Sequence, residues 1–103
     1  MRQYYVYILA GKRNGTLYTG MTHNLIKRVG QHKEGRVAGF TKEYGVKRLV
    51  WYTTFENVWD AIAAEKRIKK WKRRLKLRLI ERVNREWDDL IGHQVGGRSG
   101  TGQ

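Results

Sequence analysis

Glu65 carries the sharpest chemical signal in the chain. It falls in the series Val58, Ala61, Ile62, Glu65, Ile68, whose other members are all apolar. That spacing puts the five on one face of a helix. A carboxylate on such a face is costly unless it is paired or binds a metal. It is a natural ligand for a hard cation such as Mg²⁺, and equally what one half of a buried ion pair with a Lys or Arg looks like. Tyr7 and Tyr18 form the second signal. A phenol has an ordinary pKa of about 10, and cations or a metal nearby would lower it enough to accept a proton from an attacking water. Tyrosine is also simply a good strand residue, and Tyr4, Tyr5 and Tyr52 ask for the same explanation. Arg28 and His32 come third. Spaced i, i+4, they share a helix face. The guanidinium offers paired donors to a phosphate and could stabilise charge growing on phosphoryl oxygens. His32 could bind phosphate or relay a proton. The pair also suits an ordinary solvated face. His23 and His93 lie too far off in sequence to build a metal cluster with His32.

The bulk charge says what such groups would act on. Lys and Arg number 22 against 9 Asp and Glu, a formal net charge of +13 in 103 residues. A compact chain with that excess repels itself unless a polyanion is its usual partner. Nucleic acid leads and an anionic membrane surface is second. Nine Lys or Arg crowd the thirteen residues Lys66 to Arg78, around Trp71. Such density is a footprint of counterion release, giving affinity without sequence readout. Lys66, Lys69, Lys70, Lys72, Arg73 and Arg74, with Lys42 upstream, are the candidate phosphate contacts. An amphipathic helix of this kind could also lie on a membrane surface. There is no cysteine, so zinc fingers and disulfide frameworks are excluded. No apolar run reaches the roughly 18 residues a membrane helix needs, and the start has no long apolar signal region. The expectation is a soluble, cytoplasmic protein.

The elements that must position these residues can be read in order. Tyr4 to Ala10 is a strand whose two alternating sets, Tyr4/Val6/Ile8 and Tyr5/Tyr7/Leu9, are both apolar or aromatic, so it is expected to be covered on both faces. Gly11 to Gly15, ending in Asn-Gly, is a turn. Thr16 to Met21 returns as a second strand, with Tyr18 and Gly20 on one face. Thr22 or Asn24 caps a helix running to about Lys33, its Leu25 and Val29 facing inward. Glu34 to Val46 reads as irregular. Lys47 to Phe55 is a third strand. Asn57 caps one long helix from Val58 to about Asn84, with a break conceivable near Trp71 to Arg73 but no Gly or Pro to mark it. Its stripe continues through Trp71, Leu75 and Leu79, with Ile80 and Val83 beside it. Trp87 and Leu90 fold back. The predicted domain is 1–91, and 92–103, with five glycines, is predicted to be a flexible tail.

In this order the residues resemble the GIY-YIG nuclease family. Tyr5-Val6-Tyr7 matches the first motif, with Tyr5 where many members have Gly. Tyr18-Thr19-Gly20 matches the second, with Thr for the central Ile. Asn24-Leu25-Ile26-Lys27-Arg28 resembles the helix that carries the family's Arg. His32-Lys33-Glu34-Gly35, Phe40 to Tyr44, and the run Glu65 to Lys72 resemble the small single-domain bacterial members. The tyrosines are eleven residues apart and Tyr18 and Arg28 ten, which makes the ordered set specific where single tripeptides are not. The resemblance implies an α+β fold, a small three-stranded antiparallel sheet flanked by helices. It implies hydrolysis of DNA phosphodiesters with Mg²⁺ (or Mn²⁺). Carried over, Glu65 holds the metal, Tyr7 is the general base, Tyr18 positions water or phosphate, Arg28 stabilises the transition state and His32 assists. Met21 stands where some members have a lysine. Asn84 is the candidate for a further active-site Asn, nineteen residues after Glu65, and Arg85 stands where related small proteins have Pro. With no second domain, the expected nuclease has low sequence specificity, is selective for structure or strand, or takes specificity from a protein partner. DNA is the expected substrate, with RNA open. The alternative is a binding module that keeps the fold without useful catalysis.

Overall fold

A strand covered on both faces belongs in the middle of a sheet, and β1 (Tyr4–Ala10) is central in the order β2-β1-β3. In the computed structural model, which describes residues 3–36 and 45–91, β1 is followed by β2 (Leu17–Thr22), α1 (Leu25–Lys33), β3 (Arg48–Phe55), α2 (Val58–Lys70) and α3 (Arg73–Val83). Both neighbours of β1 are antiparallel. The fold is α+β, as expected. Phe40 to Tyr44 with Lys42, the predicted tail and His93 lie outside the described residues.

The two apolar sets of β1 feed two cores. Val6, Ile8 and Ala10 pack with Ala61, Ala64 and Ile68 of α2 and with Ile80 of α3. Tyr7 and Leu9 pack with Leu25 and Val29 of α1 on the opposite face. The sheet therefore separates a face covered by α2 and α3 from a face covered by α1, and Tyr7 is on the α1 face.

The single long helix is corrected to two. Trp71 and Lys72 are both extended, with ψ of 147° and 150°. Neither Gly nor Pro causes this; packing overrides propensity. The break resets the helical phase. Ile80 is buried and Leu77 packs beside it, while Leu75 and Val83, expected inside, are exposed. The α2 stripe also shifts. Ala61, Ala64 and Ile68 are its buried members, which leaves Val58, Ile62 and Glu65 on the flank. The turn after the break points Arg73 at the β1–β2 loop, where its guanidinium donates to the carbonyls of Asn14 and Gly15, each at 2.7 Å. Asn14 takes the left-handed conformation (φ 58°) that the Asn-Gly signal anticipates.

β3 carries an irregularity. Ile8 pairs with Trp51 but Leu9 with Leu49, leaving Val50 as an extra residue. A bulged residue loses its ladder partner, and here the Val50 carbonyl is satisfied by Asn84 Nδ2 at 3.0 Å. The Asn84 amide also donates to the Asp88 carbonyl and accepts from the Asp88 N–H. Asn84 ends α3 and pins it to β3, so the structure gives this active-site candidate a structural task. Asn84→Ala would orphan a buried carbonyl and is expected to lower the stability by about 2 kcal/mol or more. The check is an earlier urea midpoint with an unchanged slope.

Candidate active site

Tyr7 sits between two partners on adjacent strands, Gly20 on β2 and Tyr52 on β3. The Tyr7 ring lies across Gly20. A Cβ built on Gly20 would be 2.5 Å from the Tyr7 hydroxyl and 2.6 Å from its Cζ. Tyr18, two residues before Gly20, projects on the same face, and the two tyrosine rings are 6.4 Å apart. The close approach of Gly20 to Tyr7 was not read from the sequence; the signal available was a glycine facing Tyr7 once the hairpin register is drawn.

α1 brings the next groups. Thr22 Oγ1 accepts from the Asn24 N–H, and Asn24 Oδ1 accepts from the Lys27 N–H at 3.1 Å, an N-cap that starts the helix directly off β2. Leu25 and Val29 anchor the helix on the sheet. Arg28 and His32 then face the tyrosines. The helix stops at Gly35, whose φ of +72° suits glycine and whose N–H bonds the His32 carbonyl at 3.1 Å. That explains the spacing in His32-Lys33-Glu34-Gly35.

His32 is buried, with Nε2 3.3 Å from the Tyr7 hydroxyl and its ring 5.3 Å from that of Tyr18. Burial pushes the Tyr7 phenol well above its ordinary value; Tyr18 adds to this, Arg28 opposes it and Glu65 raises it further. Burial also pushes the His32 imidazole down, and the Arg28 charge pushes it the same way. At neutral pH both groups are therefore uncharged. The two are hydrogen-bonded, and the hydroxyl is the donor in the tautomer that carries the imidazole proton on Nδ1. Arg28 is half-buried and lines a cleft of about 180 Å³ with Thr22, Asn24 and Lys27. Among the described residues no carboxylate lies within ion-pair distance of it.

Glu65 resolves into neither of its two sequence readings alone. Its side chain is 19% exposed, at the flank of α2 rather than in the core, and Lys69 Nζ is 3.1 Å away. An i,i+4 pair of this kind is worth only a few tenths of a kcal/mol. Yet the carboxylate is close enough for its charge to act on the Tyr7 hydroxyl. Tyr7, Tyr18, Arg28, His32 and Glu65 are thus brought into one neighbourhood; Asn84 is not among them. Among the described residues no group of three His, Cys, Asp or Glu could hold a metal. A lone carboxylate still fits Mg²⁺, which keeps several waters and binds through one or two carboxylates plus substrate phosphates. Of the basic candidates, Lys66, Lys70, Lys72 and Arg74 are exposed. Arg73 is engaged by the β1–β2 loop and Lys69 by Glu65. No described helix is long and apolar enough to cross a membrane.

The sequence model of the GIY-YIG catalytic domain matches residues 3–78. The chain belongs to the GIY-YIG family. It is 46% identical over 76 residues to a UPF0213 protein of Clostridium perfringens, covering 74% of this chain and 81% of that one. A UPF0213 protein of Pediococcus pentosaceus is 37% identical over 79 residues, covering 77% and 82%. The solution NMR structure of a UPF0213 protein from Bacillus halodurans superposes with a TM-score of 0.53 at 31% identity, covering 84% of this chain and 92% of that one. The expected membership among small single-domain GIY-YIG proteins holds. In this chain the Arg helix covers the face that holds Tyr7 and Tyr18, the Glu helix covers the other, and the charges of Arg28 and Glu65 both act on the Tyr7 hydroxyl.

Proposed function

We propose that this GIY-YIG protein is a metal-dependent endonuclease that hydrolyses DNA phosphodiester bonds with little sequence preference. The observation that supports it best is the Tyr7 hydroxyl. It touches His32 Nε2 at 3.3 Å and feels the charges of both Arg28 and Glu65. Arg28, at the mouth of its cleft, is suited to a phosphate and to the extra charge of the transition state. Tyr18, beside Tyr7, orients the water or the phosphate. Glu65 would hold Mg²⁺ or Mn²⁺, which when bound polarises the phosphoryl oxygen and lowers the pKa of water. The exposed cations Lys66, Lys70, Lys72 and Arg74 grip the backbone. Placement in the cytoplasm, RNA as a second substrate, a specificity partner and a domain ending near residue 91 belong to the same reading.

The proton path follows from the two shifted groups. Tyr7 holds its proton too tightly to act as a free phenolate at neutral pH. It can take a proton from the attacking water while passing its own to the neutral His32 Nε2, so the imidazole is the final acceptor. Protonated His32 cannot accept. The rate should therefore rise as pH increases through a value below 6.5, where His32 loses its proton, and stay flat through the alkaline range in which a free phenolate would add a second rise. A plasmid-nicking assay over pH, with Mg²⁺, Mn²⁺ and a chelator, tests the whole reading. Nicking with metal and none with chelator is expected. A profile that climbs only above pH of about 9 would return the base role to Tyr7 alone.

The Glu65–Lys69 pair favours a second reading, in which a cation of the chain itself occupies the carboxylate and the fold serves as a binding module. Salt-sensitive DNA or RNA binding, indifferent to Glu65 and without cleavage under either metal, would support it.

A further inference from the structure

Beside the Arg28 cleft, on the same face of the sheet as Tyr7, is a second and larger cleft of about 260 Å³. Two aromatic rings wall it. Tyr52 pairs directly with Tyr7 across β1 and β3, and Tyr5 lies diagonal to it on the face that Tyr7 and Leu9 share. Their rings meet edge to face at 6.4 Å. Tyr52 is 45% exposed and Ile26, across the cleft, is 68% exposed. Leaving this much aromatic and apolar surface open in so polar a chain calls for a ligand with an apolar, planar face. His23 and Asn24 line both this cleft and the Arg28 cleft, so the two are neighbours. One carries the two tyrosine rings beside Leu90 and Ile91; the other holds Arg28 and Lys27.

We infer that the Tyr5–Tyr52 cleft is a nucleobase subsite, which takes an unstacked base of the strand whose phosphate lies at Arg28. The occupant follows from the juxtaposition. A nucleotide is the ligand that offers an anion and a planar ring one sugar apart, and the net charge of +13 selects for a polyanion. The base of a phosphate gripped at Arg28 would enter the neighbouring cleft, which shares His23 and Asn24 with it. Aromatic side chains of this kind bind bases by stacking, without demanding a sequence. A base inside a duplex is stacked on both sides and cannot enter, so the subsite requires an unpaired or flipped nucleotide. This deepens the nuclease reading and rests on it only in taking Arg28 as the phosphate site. It assigns the enzyme a preference for single-stranded or locally opened nucleic acid.

The experiment is equilibrium binding by fluorescence anisotropy, in chelator so that nothing is cut. The probes are an oligothymidylate, its oligouridylate counterpart and an abasic strand of equal length. The wild type should bind the base-bearing strands more tightly than the abasic strand. Tyr52→Ala should weaken the base-bearing strands by about tenfold, equivalent to about 1.4 kcal/mol. It should leave the abasic strand unchanged, and Tyr52→Trp should restore the loss. The two base-bearing probes tell DNA from RNA as the source of the base. Arg28→Ala should weaken all strands alike; if it weakens none, the phosphate reading fails, whatever Tyr52 does. The subsite itself is overturned if Tyr52→Ala weakens base-bearing and abasic strands equally, or neither. It is overturned too if Tyr52→Ala only shifts the sedimentation of the protein, which would give the cleft to a second copy of the chain.

Discussion

Glu65→Gln should reduce Mg²⁺-dependent nicking to the level seen with chelator, a loss of about 10³-fold or more, while DNA binding stays the same or tightens. The size follows from the role. If one carboxylate is the protein's whole contribution to the metal, its loss removes the charge stabilisation a bound cation gives, several kcal/mol of barrier. Among the described residues no group of three His, Cys, Asp or Glu could hold the cation in its place. Fold stability should hardly move, because the carboxylate is at the flank of α2 and its pairing with Lys69 is a helix-surface contact. Binding should not suffer, since a negative charge facing phosphates is being removed. The measurements are a nicking time course, a thermal melt and an anisotropy titration on the same variant. Full cleavage by Glu65→Gln would end the metal assignment. Loss of binding along with cleavage would make Glu65 a structural residue instead.

Lys69 gives that prediction a second edge. Its ammonium is 3.1 Å from the Glu65 carboxylate, where it competes with any incoming cation. Under the proposed metal role, metal binding would displace it, and a phosphate arriving with the metal would give it a new partner. The basic run from Lys66 to Arg78 therefore divides by task. Lys69 pairs with the carboxylate, Arg73 holds the β1–β2 loop, and Lys66, Lys70, Lys72 and Arg74 are exposed, where the proposed grip on a nucleic-acid backbone would use them.

Strand and helix assignments were legible where a period or a cap was written into the residues. β1 reads as central because both of its faces are apolar, and Asn24 and Asn57 cap their helices as their side chains allow. The family was legible as an ordered set of residue types. Three things were not. The break at Trp71 and Lys72 has no Gly or Pro behind it. It exists because Ile80 must reach the core and Arg73 the hairpin loop, both long-range contacts. The role of Asn84 depends on the bulge at Val50, thirty-four residues earlier, and no local pattern announces a bulge whose carbonyl another element must satisfy. Glu65 looked inward because Val58 and Ile62 share its spacing, but the smaller Ala61 and Ala64 let α2 approach the sheet on a neighbouring stripe. That rotation moves Glu65 from the core to the flank, where it pairs with Lys69.

Gly20→Ala should impair cleavage as severely as Tyr7→Phe, about 10²- to 10⁴-fold, the range expected when a positioned proton-transfer group is lost. The added methyl would come within 2.5 Å of the Tyr7 hydroxyl and 2.6 Å of Cζ. The ladder fixes both backbones, because Gly20 and Tyr7 are direct partners on paired strands. The ring is the part that must yield, and it is enclosed, only 2% exposed. Forcing it aside costs about 1–3 kcal/mol as overpacking and carries the hydroxyl away from His32. Tyr7→Phe, by contrast, keeps the ring and removes only the hydroxyl with its hydrogen bond to the buried His32 Nε2, at a cost of about 1–3 kcal/mol. The two substitutions then act through one oxygen atom, and their effects on rate should not multiply. In the Tyr7→Phe background, Gly20→Ala should cost stability but almost no further activity. If the double variant loses the product of the two single effects, Gly20 serves the reaction by some route other than the Tyr7 hydroxyl. If Gly20→Ala is fully active, the close approach of Tyr7 to β2 is not part of the working site.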